Sequence, residues 1–256
     1  MDRRARLRKK GPIRIVAAVA GALALTLGAT APTTAAPPSA LPQDGEPVAL
    51  DPADFTSQIT NPYFPLTPGT RLTYREQDAR GNVQKGVTHV TRRTKLIANG
   101  ITARVVHDVV SEHGEPVEKT FDWYAQDSAG NVWYLGEDTK EYENGHVSST
   151  HGSFEAGVDG AQPGVIMPAS LAVGLTYRQE FYAGQAEDEA RVLSLDEQAG
   201  VPFGHFNDVL MTKEINPLEP RHIEYKFYAR GIGPVLELTA SGGTDRVVLV
   251  EIEHAR

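Results

Sequence analysis

Two carboxylates in an apolar, glycine-punctuated connection are the residues of this chain best placed to do chemistry. Glu155 and Asp159 lie in the stretch 152–169, together with the large apolar side chains Phe154, Ile166 and Met167. A carboxylate buried in such surroundings must be paired, bind a cation or hold a proton. The sequence therefore leaves open a salt bridge that fixes the connection, a polar contact to a ligand, and an acid/base role. The predicted ligand contacts are Phe154, Glu155, Asp159, Met167, Tyr177 and Arg178.

Two further groups of residues have side chains that could bind a metal ion. Acidic residues surround one predicted hairpin, and oxygen clusters of this kind bind calcium outside the cell, although no EF-hand spacing is present. Two histidines precede Glu155, but their odd separation places them on opposite faces of a strand, and no His-Glu-x-x-His motif fixes them. We predict no cofactor, with calcium at the acidic hairpin as the alternative. The residues are Glu137, Asp138, Glu141 and Glu143 at the hairpin, and His146 and His151 as the histidine pair.

Motifs of the common enzyme classes are absent from the sequence. It contains no Gly-x-Ser-x-Gly elbow, no cysteine, no phosphate-binding loop with lysine and no Gly-x-Gly-x-x-Gly. We therefore predict no catalytic residues and a protein that is not an enzyme. The alternative is a carboxylate-dependent hydrolase that uses Glu155 with Asp159 or Glu180.

The elements that must position these residues are β-strands. Eight segments carry β-branched or aromatic residues with a period near two, whereas the helical period appears nowhere at length. Asp51-Pro52 predicts one short helix, with Asp51 as its cap. The form Asp-x-x-Gly-Asn-Val occurs at 78–83 and again at 127–132, and Asn-Gly occurs at 99–100 and 144–145; each predicts a tight turn between antiparallel strands. The predicted strands are 72–75, 103–110, 119–125, 131–135, 175–182, 191–195, 222–228 and 247–252.

Several of these strands are apolar on both faces, which predicts that the second face is covered by protein or by an apolar ligand. Three blocks also recur in order at an offset of about 103 residues, among them Leu-Thr-Tyr-Arg at 72–75 and 175–178. The predicted fold is all-β: an antiparallel meander that forms a curved sheet, half-barrel or barrel. It comprises pseudo-repeats at about 69–150 and 172–254, joined by 151–171, within a single domain from 50 to 256.

The N-terminus predicts export from the cytoplasm. A basic run is followed by a 13-residue apolar stretch and small residues, which is typical of a signal peptide over 1–35, and the Ala- and Pro-rich stretch 36–49 predicts a flexible tether. Seven of the 25 Lys and Arg but one of the 33 Asp and Glu lie in 1–35, so cleavage leaves 18 basic and 32 acidic residues and a net charge of −14. Such a surface repels nucleic acid and anionic lipid head groups. We predict a secreted protein, extracellular or retained in the cell envelope, without a stable membrane anchor.

The segment Tyr225-Lys226-Phe227-Tyr228-Ala229-Arg230-Gly231-Ile232-Gly233-Pro234-Val235 resembles a Tyr-Ala-x-Gly-Val-Gly-x-Val segment of exported bacterial β-rich proteins. With the stretches 61–66, 123–135 and 152–169, the chain resembles a secreted β-rich actinobacterial family that has no assigned activity. In layout it is similar to the LolA, LolB and LppX lipid carriers, although the lipid-bearing cysteine of LolB and LppX is absent. These resemblances imply a curved sheet and supply no functional residue.

The covered strand faces and the apolar connection together predict a secreted binding protein whose curved sheet holds an apolar small molecule or a lipid. An envelope-associated structural module and the hydrolase above remain the alternatives. The sequence makes no prediction of the oligomeric state.

Overall fold

The computed structural model describes residues 41–78 and 81–254. The predicted signal peptide lies outside the described residues, as does the first part of the predicted tether. The described chain is all-β, with one 3-10 helical turn, Pro52–Asp54, that is capped by the Asp51 side chain at 2.9 Å from the Ala53 amide nitrogen. Its strands are β1 (Phe55–Thr56), β2 (Arg71–Gln77), β3 (Val83–Leu96), β4 (Thr102–Glu112), β5 (Glu115–Asp127), β6 (Val132–Glu143), β7 (His146–Ser149), β8 (Phe154–Glu155), β9 (Gln162–Met167), β10 (Thr176–Tyr182), β11 (Ala186–Val201), β12 (Gly204–Ile215), β13 (Ile223–Ala229), β14 (Gly233–Ser241) and β15 (Arg246–Glu253).

Twelve of these strands form a hydrogen-bonded ring in which every neighbouring pair is antiparallel. Strands β2 to β6 run as a meander, β9 lies between β6 and β10, and β10 to β14 run as a second meander. Strand β15 lies between β14 and β2, and the direct pairing of β5 with β6 completes the ring. The predicted antiparallel all-β fold is confirmed, and all eight predicted segments coincide with observed strands, three of them beginning one residue early.

The two halves of the ring have the same order of strands. Five meandering strands, β2 to β6, are followed by a single closing strand, β9; five more, β10 to β14, are followed by β15. The connection 152–169, which is part of the segment 151–171 predicted to join the two halves, supplies β9 and the short strand β8. It is therefore part of the wall of the ring.

The turns predicted from the sequence join neighbouring strands. Gly130 has φ of 94° and donates its amide to the carbonyl of Asp127 at 3.0 Å, while the Asp127 carboxylate accepts the amide of Asn131 at 2.8 Å. Asn144 and Gly145 both have positive φ, as the turn between β6 and β7 requires. These turns set the register in which side chains alternate between the inside and the outside of the ring.

The segment 57–70, which we call the entry segment, covers one end of the ring. The Asn61 side chain donates to the carbonyls of Gly130 and Pro168, and the Pro62 carbonyl accepts the amide of Gly231. These partners lie in the β5–β6 turn, just after β9, and in the β13–β14 turn. Tyr63 and Leu66 of the entry segment are buried in the main apolar core.

Residues 41–48 lie against β9 and β10. The Arg178 guanidinium donates to the carbonyls of Asp44, Glu46 and Pro163, and the Gln43 side chain donates to the carbonyl of Thr176 at 2.8 Å. Folded structure thus begins before Leu50. No helix among the described residues is long and apolar enough to cross a membrane.

Candidate functional site

A cavity of about 180 Å³ lies inside the ring, next to the entry segment. Phe64, Pro65 and Leu66 of the entry segment line one side, and aliphatic and aromatic side chains of the ring strands line much of the rest. A dry engineered cavity of about 150 Å³ in another protein accommodates benzene. This cavity therefore has room for a small organic molecule but not for a whole lipid.

Acidic side chains are concentrated on the cavity wall. Six carboxyl groups from five strands line it, whereas a single basic side chain, Lys226, does so. Two pairs of these acids lie directly opposite each other across neighbouring strands, Asp122 with Glu137 and Glu180 with Asp188. Like charges in that position repel each other. The acidic lining residues are Asp108, Glu118, Asp122, Glu137, Glu180 and Asp188.

Asp108 and Asp122 form a hydrogen-bonded carboxyl pair on β4 and β5. A hydrogen bond between two carboxyl groups requires a proton on one of them. Thr88 donates its hydroxyl to Asp108, and the Tyr134 hydroxyl donates to Asp122 at 2.7 Å. Burial raises the pKa of Asp108, and burial together with the Asp108 charge raises the pKa of Asp122 well above its usual range. The pair therefore holds a proton at a pH where ordinary carboxyl groups have lost theirs.

Two tyrosine rings lie beside this pair. Tyr124 and Tyr134 are stacked with their centroids 4.9 Å apart, and both line the cavity. Their apolar faces and the carboxyl groups together form a surface that is aromatic and acidic. Such surfaces attract cations, through the charge of the acids and the negative faces of the rings.

Lys226 is neutralised by acids on the neighbouring strands. Its ammonium lies 2.7 Å from a Glu214 oxygen and 3.8 Å from Glu237. Glu214 also accepts hydrogen bonds from Thr212 at 2.7 Å and Tyr228 at 2.9 Å. Burial by itself lowers the pKa of Lys226, but the charges of Glu214 and Glu237 outweigh it and raise that pKa above its usual value. Lys226 thus stays charged, and its charge is matched by acids outside the six that line the cavity.

Gln179 places a buried amide without partners on the cavity wall. The residue is 1% exposed, and neither its side-chain nitrogen nor its side-chain oxygen makes a hydrogen bond. It lies at the irregularity of β10 between Arg178 and Glu180. Gly164 of β9 packs so closely there that a Cβ atom would lie 2.2 Å from the Gln179 carbonyl carbon. A buried polar group without a partner costs about 1–3 kcal/mol, which a ligand could recover.

The structure places the six predicted ligand contacts outside the cavity lining. Phe154 packs edge-on against Tyr134 at 5.6 Å, and Met167 is fully buried in the main core. Tyr177 is fully buried beside these core residues, and its hydroxyl has no hydrogen-bond partner. Arg178 holds residues 41–48, as described above.

The two carboxylates of the connection are not brought together. Glu155 lies 2.5 Å from the Lys95 ammonium and accepts the amide of Ala98 at 2.8 Å. Asp159 is exposed in a turn, with φ of 50°. Of the acids considered for the hydrolase alternative, Glu180 lines the cavity and the other two do not.

No group of three or more His, Asp or Glu in the described part of the chain is arranged to hold a metal ion. At the acidic hairpin, Asp138 is paired with Lys140 at 2.6 Å. His146 is exposed at the start of β7.

Of the six acids that line the cavity, Glu137 and Glu180 were considered from the sequence, in the calcium and hydrolase alternatives, whereas Asp122 and the basic lining residue Lys226 were not. A usable signal was present, because Asp122 and Lys226 each lie between large aromatic residues in a strand: Phe121-Asp122-Trp123 and Tyr225-Lys226-Phe227. In a strand that is covered on both faces, a charged residue between two aromatic residues is buried. Such a buried charge needs a partner.

Comparison with known proteins gives similarity of low identity. No family model matches the chain, and no curated protein matches it. One similar solved structure is a "putative exported protein with YmcC-like fold" from Bacteroides fragilis, with 15% identity and a TM-score of 0.44 over 76% of this chain and 100% of that one. Another is a "putative lipoprotein" from Parabacteroides distasonis, with 14% identity and a TM-score of 0.42 over 75% of this chain and 98% of that one.

Proposed function

We propose that this protein is a binding protein that works outside the cytoplasm and holds a small, largely apolar molecule inside its strand ring. The observation that carries the proposal is the cavity of about 180 Å³, whose wall combines apolar side chains with carboxyl groups and an amide. Sites for small molecules have this character, since apolar surface supplies affinity and a few polar groups fix the orientation. The size of the cavity favours a small molecule over a lipid.

The location outside the cytoplasm is supported by the N-terminal sequence, with its basic run, short apolar stretch and small residues. The net charge of −14 after cleavage also supports this proposal, because a negatively charged surface disfavours binding to nucleic acid and to anionic membranes.

Filling the cavity tests the proposal. Gly86 lines the cavity, its φ is not positive, and a Cβ atom there would lie 3.6 Å from the Tyr74 Cβ, an ordinary contact. Gly86→Leu should therefore fold and occupy ligand space. The matched control is Gly200→Leu, because Gly200 is also a strand glycine without positive φ but is exposed.

The unaltered protein, both variants and a panel of small aromatic compounds are compared by thermal unfolding and by native mass spectrometry of the protein as purified. We expect bound species or a raised Tm for the unaltered protein and for Gly200→Leu, and their loss in Gly86→Leu. No compound bound by the unaltered protein, or equal binding by Gly86→Leu, would contradict the proposal.

A second candidate function is hydrolysis by the Asp108–Asp122 pair. Two carboxyl groups that share a proton form the arrangement by which one acts as acid and the other as base. Turnover of nitrophenyl esters or glycosides that is lost in Asp122→Asn but kept in Asp138→Asn would support this function; Asp138 lies on the neighbouring strand with its side chain 48% exposed.

A further inference from the structure

We infer that the ligand of this cavity is a small organic amine, whose protonated nitrogen lies against Asp122 and its acidic neighbours while its apolar part fills the remaining space. The inference rests on the proposed function and adds the chemical class of the ligand.

Acidic side chains outnumber basic ones on the cavity wall. Six carboxyl groups line the cavity against one ammonium, that of Lys226, which is already matched by Glu214 at 2.7 Å. Acids directly opposite each other, Asp122 with Glu137 and Glu180 with Asp188, have lost much of the solvent that would screen them. A cationic ligand is attracted by the carboxyl oxygens of this wall, whereas an anionic ligand is repelled by them.

The geometry around Asp122 suits an ammonium group. Asp108 and Asp122 form a hydrogen-bonded carboxyl pair, and that bond requires a proton on one of them. An alkylammonium group carries three N–H donors and can replace that proton, donating to both carboxylates and to one further acceptor while the displaced proton passes to solvent. The stacked rings of Tyr124 and Tyr134 lie next to the pair and favour a cation over a neutral group.

A polar group on the cavity wall other than the acids also points to a ligand with N–H donors. The Gln179 amide is 1% exposed, lines the cavity, and has a hydrogen-bond partner at neither atom. A native protein seldom leaves both ends of a buried amide unpaired, so the group points to a polar ligand. Its oxygen can accept an N–H of the amine, and its nitrogen can donate to a hydroxyl or carbonyl that the ligand carries.

The test uses three probes that share a phenylethyl group and differ in charge: 2-phenylethylamine, 2-phenylethanol and 3-phenylpropionate. Their affinities for the purified protein are measured by calorimetry at pH 7.5. We expect the amine to bind at least about tenfold more tightly than the alcohol, the usual gain of a charge-assisted over a neutral hydrogen bond, and the acid to bind most weakly.

Asp122→Asn keeps the shape of the side chain and removes its charge, so it should abolish the preference for the amine. The control Asp138→Asn removes an exposed acid and should leave the preference unchanged. If Asp122→Asn fails to fold, the comparison of the three probes on the unaltered protein still decides the matter.

Each outcome has a definite meaning. Equal binding of the amine and the alcohol, or tightest binding of the acid, overturns the amine inference and leaves the proposed binding function standing. Failure of all three probes overturns the inference and, together with failure of the cavity-filling test, the proposed function as well.

Discussion

Removing the ammonium of Lys226 should destabilise the fold severely. Lys226 is 3% exposed and Glu214 is fully buried, with 2.7 Å between their charged atoms. In Lys226→Met the apolar stem is kept, but Glu214 loses its counter-ion in a place where water does not reach it.

The magnitude follows from the contacts that remain. Glu214 keeps the hydroxyl donors Thr212 and Tyr228, so its hydrogen bonding is partly satisfied while its charge is not. Breaking a buried ion pair on one side costs about 3–5 kcal/mol. In a chain of this size each kcal/mol lowers the Tm by roughly 2–4 °C, which gives a fall of roughly 6–20 °C.

The assay is urea unfolding followed by tryptophan fluorescence, with two companion variants. Lys226→Met combined with Glu214→Gln removes both charges and should recover most of the loss, because neutral replacement of a buried pair is often tolerated. Lys140→Met breaks an exposed pair with Asp138 and should cost less than about 1 kcal/mol. A loss below about 1 kcal/mol in Lys226→Met, or no recovery in the double variant, would refute the reasoning.

Three further predictions concern the wall around β9 and β10. Gly164→Ala should lower the free energy of unfolding by about 1–3 kcal/mol, because the alanine Cβ would collide with the Gln179 backbone. An unchanged midpoint in urea unfolding would contradict this. Burial and the hydrogen bond to Asp44 raise the pKa of Glu189 from its usual 4.5 to about 7. Protonated Glu189 therefore stabilises the folded protein fully below pH 4.5, and this contribution is lost as the pH rises through 7. Glu189→Gln should flatten that part of the stability profile, and an unaltered profile would show that another group titrates. Arg178→Met removes the donors to residues 41–48, so hydrogen exchange there should quicken while the β5 amides stay protected.

Local chemistry in the sequence was enough to predict the strands and many of their turns. Phe121 to Tyr124 alternate in a way that suits a pleated sheet with two covered faces, and Gly130 supplies the positive φ that the turn after β5 requires. Strands β3, β12 and β14 were not predicted, because charged and polar residues interrupt their alternation. They form because neighbouring strands on both sides supply their hydrogen bonds, for example β2 and β4 for β3.

The candidate site could not be predicted in the same way, because its parts are distant in the chain. Asp108, Asp122 and Asp188 come from β4, β5 and β11, and they line one cavity only because the ring closes through β9 and β15. Closure of the ring depends on which strand edges pair with each other, and the side-chain period of a single strand does not specify its partner.

The sequence by itself determined the class of fold, because side-chain alternation and turn residues act within a few positions of one another. Only the tertiary structure decided that the connection 152–169 is a strand of the wall, that Glu155 is paired with Lys95, and that Gln179 lies at an irregularity against Gly164. These outcomes depend on contacts between residues 15 to 60 positions apart in the chain. Which buried polar groups find a hydrogen-bond partner in such contacts is decided only when the whole chain packs.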